Sequence, residues 1–368
     1  MTDAKNDQPL QFWRVSPPRL YTAGTLAAQL EAEGWDGMTA GDSQSLAPDP
    51  YIVLTRAAEV TSTIKLGTWV TNPVTRHAAV AAGALATLQL ESGGRIEVGI
   101  GRGDSALAYI GLAPAPLGHF ERYMRDLHGY LNGAEVPLHT EPDGSGLKGL
   151  DEMEMGTKPT TSKLGWLPDE YTPVPVVVAA SGPKVMQIAA RTADKITAVV
   201  GPSPERLTWA RDLILAAVDE TRRPDAVPVL GTSCVVAVNE NRELARQMVR
   251  PIVTVQARFA AMHNKVIGPA SAELAKDLQD LRRNYDMNRH ASSGAKQSSV
   301  ISDEVIDNFA IAGPASYVTE RLIEIAELGY RRFTISVESP DVDQALVEQS
   351  QSLLGSVVLP KVRAALGQ

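Results

Sequence analysis

The stretch EVGIGRGDSALAYIG (residues 97–111) puts glycine at 99, 101 and 103, followed by Asp104 and Ser105. A dinucleotide-binding turn reads G-x-G-x-x-G directly after the first strand of a doubly wound sheet. Here Asp104 stands where the third glycine belongs, and the run follows the fourth strand candidate. After the first candidate, residues 17–24 read PPRLYTAG and offer no such turn. The glycines instead read as a strand-to-loop junction where backbone approaches a flat or anionic ligand without Cβ atoms in the way. A tight turn with Asp104 and Ser105 as helix caps is the other reading, and the stretch alone leaves both open.

Working outward, β-branched runs alternate with helix-like stretches. Strand candidates lie at 10–16, 36–42, 64–71, 95–101, 174–180, 195–200, 227–238 and 332–337. Near-continuously apolar strands separated by helices predict a parallel sheet covered on both faces. Eight such units close a (β/α)8 barrel, so the expected fold is α/β, a TIM barrel with insertion loops. A single domain over residues 1–368 is expected, with inserted segments near 133–170 and 284–303. Both are rich in Gly, Pro, Ser or Asp and break the rhythm.

The composition is globular, with 44% hydrophobic and 21% charged residues. A net charge of −8 and the lack of a basic run argue against nucleic acid. Apolar stretches such as VPVVVAA are far shorter than the roughly 20 residues of a membrane span. The polar start MTDAKNDQPLQFW lacks a signal-peptide core, and one cysteine, Cys234, permits no internal disulfide; a cytoplasmic location is expected. Cys234 itself, in VLGTSCVVAV, reads as a small buried strand residue.

A second junction, VVVAASGPKVMQIAARTADKI, ends a strand in Ala179, Ala180 and Ser181 before Gly182 and Pro183 open a helix. Proline suits a first helical turn, and free amides with a serine hydroxyl make a phosphate seat. The six histidines have no metal-ligand spacing, so no metal is expected. His77 and Arg76 read as capping or surface residues as readily as cofactor-facing ones, and His119 and Tyr123 as core. NYDMNRH (284–290) is a candidate for the substrate mouth.

The segments IKLGTWVTNPVTRHAAVAAGALATLQLESGGRIEVGIGRGDSA, VVVAASGPKVMQIAARTADKI and DNFAIAGPASYVTERLIEIAELGYRRFTISV resemble the bacterial luciferase-like superfamily of flavin-dependent oxidoreductases. The nearest flavour is its methylene-tetrahydromethanopterin reductase-like branch, and the resemblance covers roughly residues 20–340. It implies a dimeric (β/α)8 barrel that binds FMN or the deazaflavin F420 at the strand C-termini. GTWVTNP matches the segment that carries a cis peptide under the ring, which falls at Trp69–Val70, with Thr71 and Asn72 at the ring edge. AASGP matches the phosphate turn, making Ala180, Ser181 and Gly182 phosphate ligands. GRGD matches a ring- or substrate-side loop formed by Gly101, Arg102 and Gly103, where Asp104 corresponds to a catalytic acid. Asp42 matches a site residue after the second strand, but Ser43 replaces the histidine that often follows.

The cofactor implied is reduced FMN, with coenzyme F420 as the alternative. The first reading is a monooxygenase that uses reduced FMN and O2 on a small organic substrate, with a separate flavin reductase as partner. The alternative is an F420-dependent reductase or dehydrogenase that transfers hydride without oxygen. A non-catalytic flavin-binding protein is the reading of another class.

Overall fold

The computed structural model describes residues 8–16, 20–139, 148–221, 227–337 and 341–368. Eight parallel strands close into a barrel, as the alternation predicts. They are β1 (Gln11–Ser16), β2 (Gly37–Ala40), β3 (Lys65–Thr68), β4 (Ile96–Ile100), β7 (Val176–Ala180), β8 (Lys195–Ala198), β9 (Val229–Val238) and β11 (Arg332–Ser336). Two short strands, β5 (Val136–Pro137) and β6 (Thr161–Ser162), pair antiparallel inside the first expected insertion. Part of that insertion, residues 140–147, lies outside the described residues.

β5, β6 and one strand of the main sheet were not expected from the sequence. β10 (Ala310–Gly313), in the run read only as the approach to a helix, pairs with Val235–Val238 of β9. The ten residues of β9 thus serve three neighbours: Val229–Thr232 pair with β8, Gly231–Val235 with β11, and Val235–Val238 with β10. A second apolar core grows around that extension, from Val235 and Ala237 with Val249, Val253, Leu278 and Phe309. The chain between β9 and β10 is therefore one large insertion from residue 239, of which 284–303 is only the far part.

The barrel interior is packed around Trp13. A Cβ on Gly37 would lie 2.3 Å from its indole, and one on Gly67 3.5 Å away, so glycine on β2 and β3 gives the ring its space. The Arg332 guanidinium lies 4.1 Å from the ring centroid. Below it, Glu97 pairs with Lys195 at 2.5 Å and with Lys65 and Arg332 at 3.6 Å each. Burial alone would raise the Glu97 carboxyl, but the three cations outweigh it and hold its pKa below the ordinary value. The floor of the barrel is a closed charge cluster, and the opposite end, where the strands finish, holds the open loops.

Cys234 is fully buried on β9, as expected of a small strand residue, and burial pushes its thiol up to about 12. No helix of the described residues is long and apolar enough to cross a membrane.

Candidate active site

Three consecutive loops build one side of the mouth. β3 ends in a cis peptide between Trp69 and Val70, at the bond the resemblance implied. The turn is keyed into its neighbours: Trp69 N donates to Ala40 O, Thr71 N to Gly99 O and Gly101 N to Thr71 O, at 2.8–3.0 Å. A Cβ on Gly99 would lie 2.2 Å from Thr68 O, and one on Gly101 3.3 Å from Val70, so these two glycines bring β4 against the β3 turn. Gly103 adopts φ +84, which favours glycine, and sits against Leu107 and Asn72.

Asp42, just past β2, accepts a 2.6 Å hydrogen bond from the Thr71 hydroxyl. Burial raises its pKa above the ordinary 3.8, against the opposing pull of the Thr71 bond and Arg76. Ser43, in the place of the familiar histidine, is hydrogen-bonded to the Ser105 hydroxyl at 3.2 Å, and Gln44 donates to Ala106 O. The β2 and β4 loops are thereby joined.

Other expected ligands are engaged elsewhere. The buried Asn72 side chain turns back into its own loop, accepting from the amides of Val74 and Thr75 and donating to Thr75 Oγ1. Arg102 donates to the carbonyls of Ala115 and Pro114 and braces the loop ahead of the next helix. Ala180 is wholly buried in the barrel's outer core, and its carbonyl accepts from Val199 N. His77 caps its helix by accepting from Ala79 N, His119 bonds to the Pro73 carbonyl, and Tyr123 is core.

Across the mouth, the helix Pro183–Thr192 starts at Gly182 with no side-chain cap. The half-buried Ser181 lies directly before this start, whose first amides have no side-chain cap. Ile267, from the insertion, lies 3.9 Å from where a Gly182 Cβ would be. The buried Arg206 fixes that segment by donating to the carbonyls of Val200, Ile267 and Pro269.

The insertion forms the remaining wall. Asp104 sits at the N-cap position of the short helix Ser105–Ala108 but makes no cap bond; its carboxylate pairs with Arg258. Arg258 is 8% exposed and lies between the rings of Tyr285 and Phe259, 4.5 and 4.9 Å from their centroids. Tyr285 Oη is hydrogen-bonded to His290 Nδ1 at 2.8 Å, and burial with the Arg258 charge pushes His290 down to about 4. Tyr109 donates to Met287 O, and Gln256 to Ser233 Oγ on β9. NYDMNRH thus touches the β4 loop through Met287 and Arg258 through Tyr285. Arg258, Gln256 and Ile267 carry no local motif, so spacing could not find them.

A barrel whose mouth joins a cis β3 turn to an uncapped β7 helix start can be compared with known proteins. Residues 9–332 match the family model for luciferase-like monooxygenases. The chain belongs to this family. Within the luciferase-like proteins it is similar to the 5,10-methylenetetrahydromethanopterin reductase of Methanolobus tindarius. That pair is 25% identical over 331 residues, 88% of this chain and 93% of the relative. It is 27% identical to an F420-dependent glucose-6-phosphate dehydrogenase from Nakamurella multipartita, over 84% of this chain and 80% of that one. The solved structure of the coenzyme F420-dependent tetrahydromethanopterin reductase from Methanopyrus kandleri superposes with TM-score 0.69 at 22% identity. The match covers 96% of this chain and 99% of that one, and it supports the fold.

Proposed function

We propose that this luciferase-like protein is an F420-dependent oxidoreductase that moves hydride between the deazaflavin and a small organic substrate. The order of preference drawn from the sequence, with a reduced-FMN monooxygenase first, reverses because relatives similar along most of the chain are named as reductases and an F420-dependent dehydrogenase. The observation that carries the chemistry is Asp42, a carboxyl with a raised pKa beside the β3 turn. Adding hydride to a polar double bond requires a proton as well, and a carboxyl whose burial favours its protonated form can supply it.

The residues at the mouth fit such a group. Ser181 and the amides at Gly182 and Lys184 would take its phosphate. The Trp69–Val70 turn, with Thr71, Gly101 and Gly103, would support its ring, Gly99 and Gly101 keeping the backbone close. When bound, the reduced deazaflavin supplies the hydride. The protein orients it, walls out water with the insertion, and holds a proton on Asp42. Asp104, paired with Arg258, then acts chiefly as the anchor of that wall.

Binding titrations of the purified protein with F420, FMN and reduced FMN, followed by fluorescence and calorimetry, test the reading. Preference for F420 is expected. Binding of reduced FMN with oxygen-dependent turnover would restore the monooxygenase and its flavin reductase partner, and binding of none of them would end the cofactor reading. We further take the protein to be a homodimer, for which the exposed Ile52 and Val80 on the neighbouring helices Pro50–Ala58 and Ala78–Glu91 offer an apolar face.

A further inference from the structure

Behind Asp42 stands a group that the proposed chemistry has not used. Tyr51 is 6% exposed, and its buried hydroxyl makes no hydrogen bond of full geometry, although the Thr71 hydroxyl lies close enough to act on it. A buried hydroxyl without a well-made bond is costly and calls for a reason. Its position is held firmly. Asp49 caps the helix Pro50–Ala58 by accepting from the amides of Tyr51 and Ile52, and its other oxygen takes the Arg76 guanidinium at 2.5 Å. Arg76 in turn lies 4.2 Å from the centroid of the Tyr51 ring. The hydroxyl is thereby kept beside Thr71 and Asp42, whose charge, after burial itself, pushes Tyr51 up to about 12.

The groups that face Asp42 come from every packed element: Asp49 and Tyr51 from the following helix, Thr71 and Arg76 from the β3 loop, and Tyr123 from the helix Leu117–Leu131. Three hydroxyls of this cluster can exchange donor and acceptor roles, those of Thr71, Tyr51 and Tyr123, and of these Thr71 is bonded to the carboxylate.

We propose that Tyr51 is a positioning residue of a three-membered proton-holding chain, Tyr51–Thr71–Asp42. With Asp42 ionised, Tyr51 donates to Thr71 Oγ1 and Thr71 donates to the carboxylate. With Asp42 protonated, the carboxylic acid donates to Thr71 Oγ1 and the Thr71 hydroxyl turns to the Tyr51 oxygen. The chain thus offers a partner to Asp42 in both states, and Arg76 offsets the charge in one of them. Resting on the reading above, Asp42 would give up the proton that accompanies hydride addition, be left as the carboxylate and regain a proton from solvent.

The test follows the carboxylic C=O stretch of Asp42 by infrared difference between the full-length wild type and Asp42→Asn across pH. It requires no coenzyme, so its outcome is independent of the choice between F420 and FMN. We expect a band with a midpoint above the ordinary 3.8 that is lost in Asp42→Asn. Thr71→Val removes the donor to the carboxylate and should raise the midpoint by about one pH unit; Thr71→Ser should restore it. Tyr51→Phe keeps the ring on Arg76 and should raise the midpoint by a smaller, measurable amount. An unchanged or lowered midpoint in a folded Tyr51→Phe protein overturns the chain, as does the absence of any Asp42 carboxylic band with a midpoint above 3.8.

Discussion

Single atoms decide much of this site. The Ser181 hydroxyl follows β7 and precedes an uncapped helix start. Ser181→Ala should weaken coenzyme binding by roughly tenfold, the loss of one hydrogen bond to a charged group, with an unaltered melting temperature. Equal affinity in calorimetry removes Ser181 from the phosphate seat. Gly37 shows the same economy inside the barrel. A methyl group there would meet the Trp13 indole at 2.3 Å, so Gly37→Ala should destabilise the protein by about 1–3 kcal/mol or more, read as a lowered denaturant midpoint. Ser181 was legible in the sequence, because a turn before a helix restricts residue type locally, whereas Gly37 was not, because the ring that needs its space stands on the neighbouring strand.

Among elements, the contact that matters is between the β4 loop and the insertion. Asp104 and Arg258 are 154 residues apart and form the pair that fastens one to the other. Arg258→Met removes the buried guanidinium and leaves Tyr285 and His290 without their charged neighbour. Amide exchange over residues 284–300 should accelerate by an order of magnitude or more, while the barrel strands keep their protection. Uniform exchange in both proteins would mean that the second apolar core alone holds the insertion. In the same variant His290 should titrate closer to its ordinary 6.5, since one of the two causes that lower it is gone. β10 escaped the sequence reading because it stands outside the eight-strand barrel and makes sense only against the extension of β9.

For the whole molecule, the floor cluster is the main electrostatic dependence. Glu97 titrates below its ordinary 4.5 in the folded chain. The stability it contributes is therefore fully present above 4.5 and is lost as the pH falls through the lower folded value. Glu97→Gln leaves Lys195, Lys65 and Arg332 without their anion and should cost about 3–5 kcal/mol at neutral pH, with a flatter loss of stability on acidification. A mutant as stable as wild type would show that the cations find other partners. The apolar face on the helices after β2 and β3 predicts a dimer in light scattering, and Ile52→Glu with Val80→Glu should yield monomers with the barrel intact.

The barrel, the glycine-lined mouth, the cis turn at Trp69–Val70 and the uncapped helix at Gly182 were all within reach of the sequence. Each follows from periodic burial, from backbone requirements local to a few residues, or from motifs that share their spacing with a family. What the tertiary structure alone decided is which side chains are left over for chemistry. Arg102 and Asn72 lie in the right motif yet bind their own loops, whereas Arg258 and Tyr51 have no motif and stand at the site. Such pairings depend on how an insertion with its own core docks across the strand ends. That docking is set by packing between segments far apart in the chain, which no local spacing records.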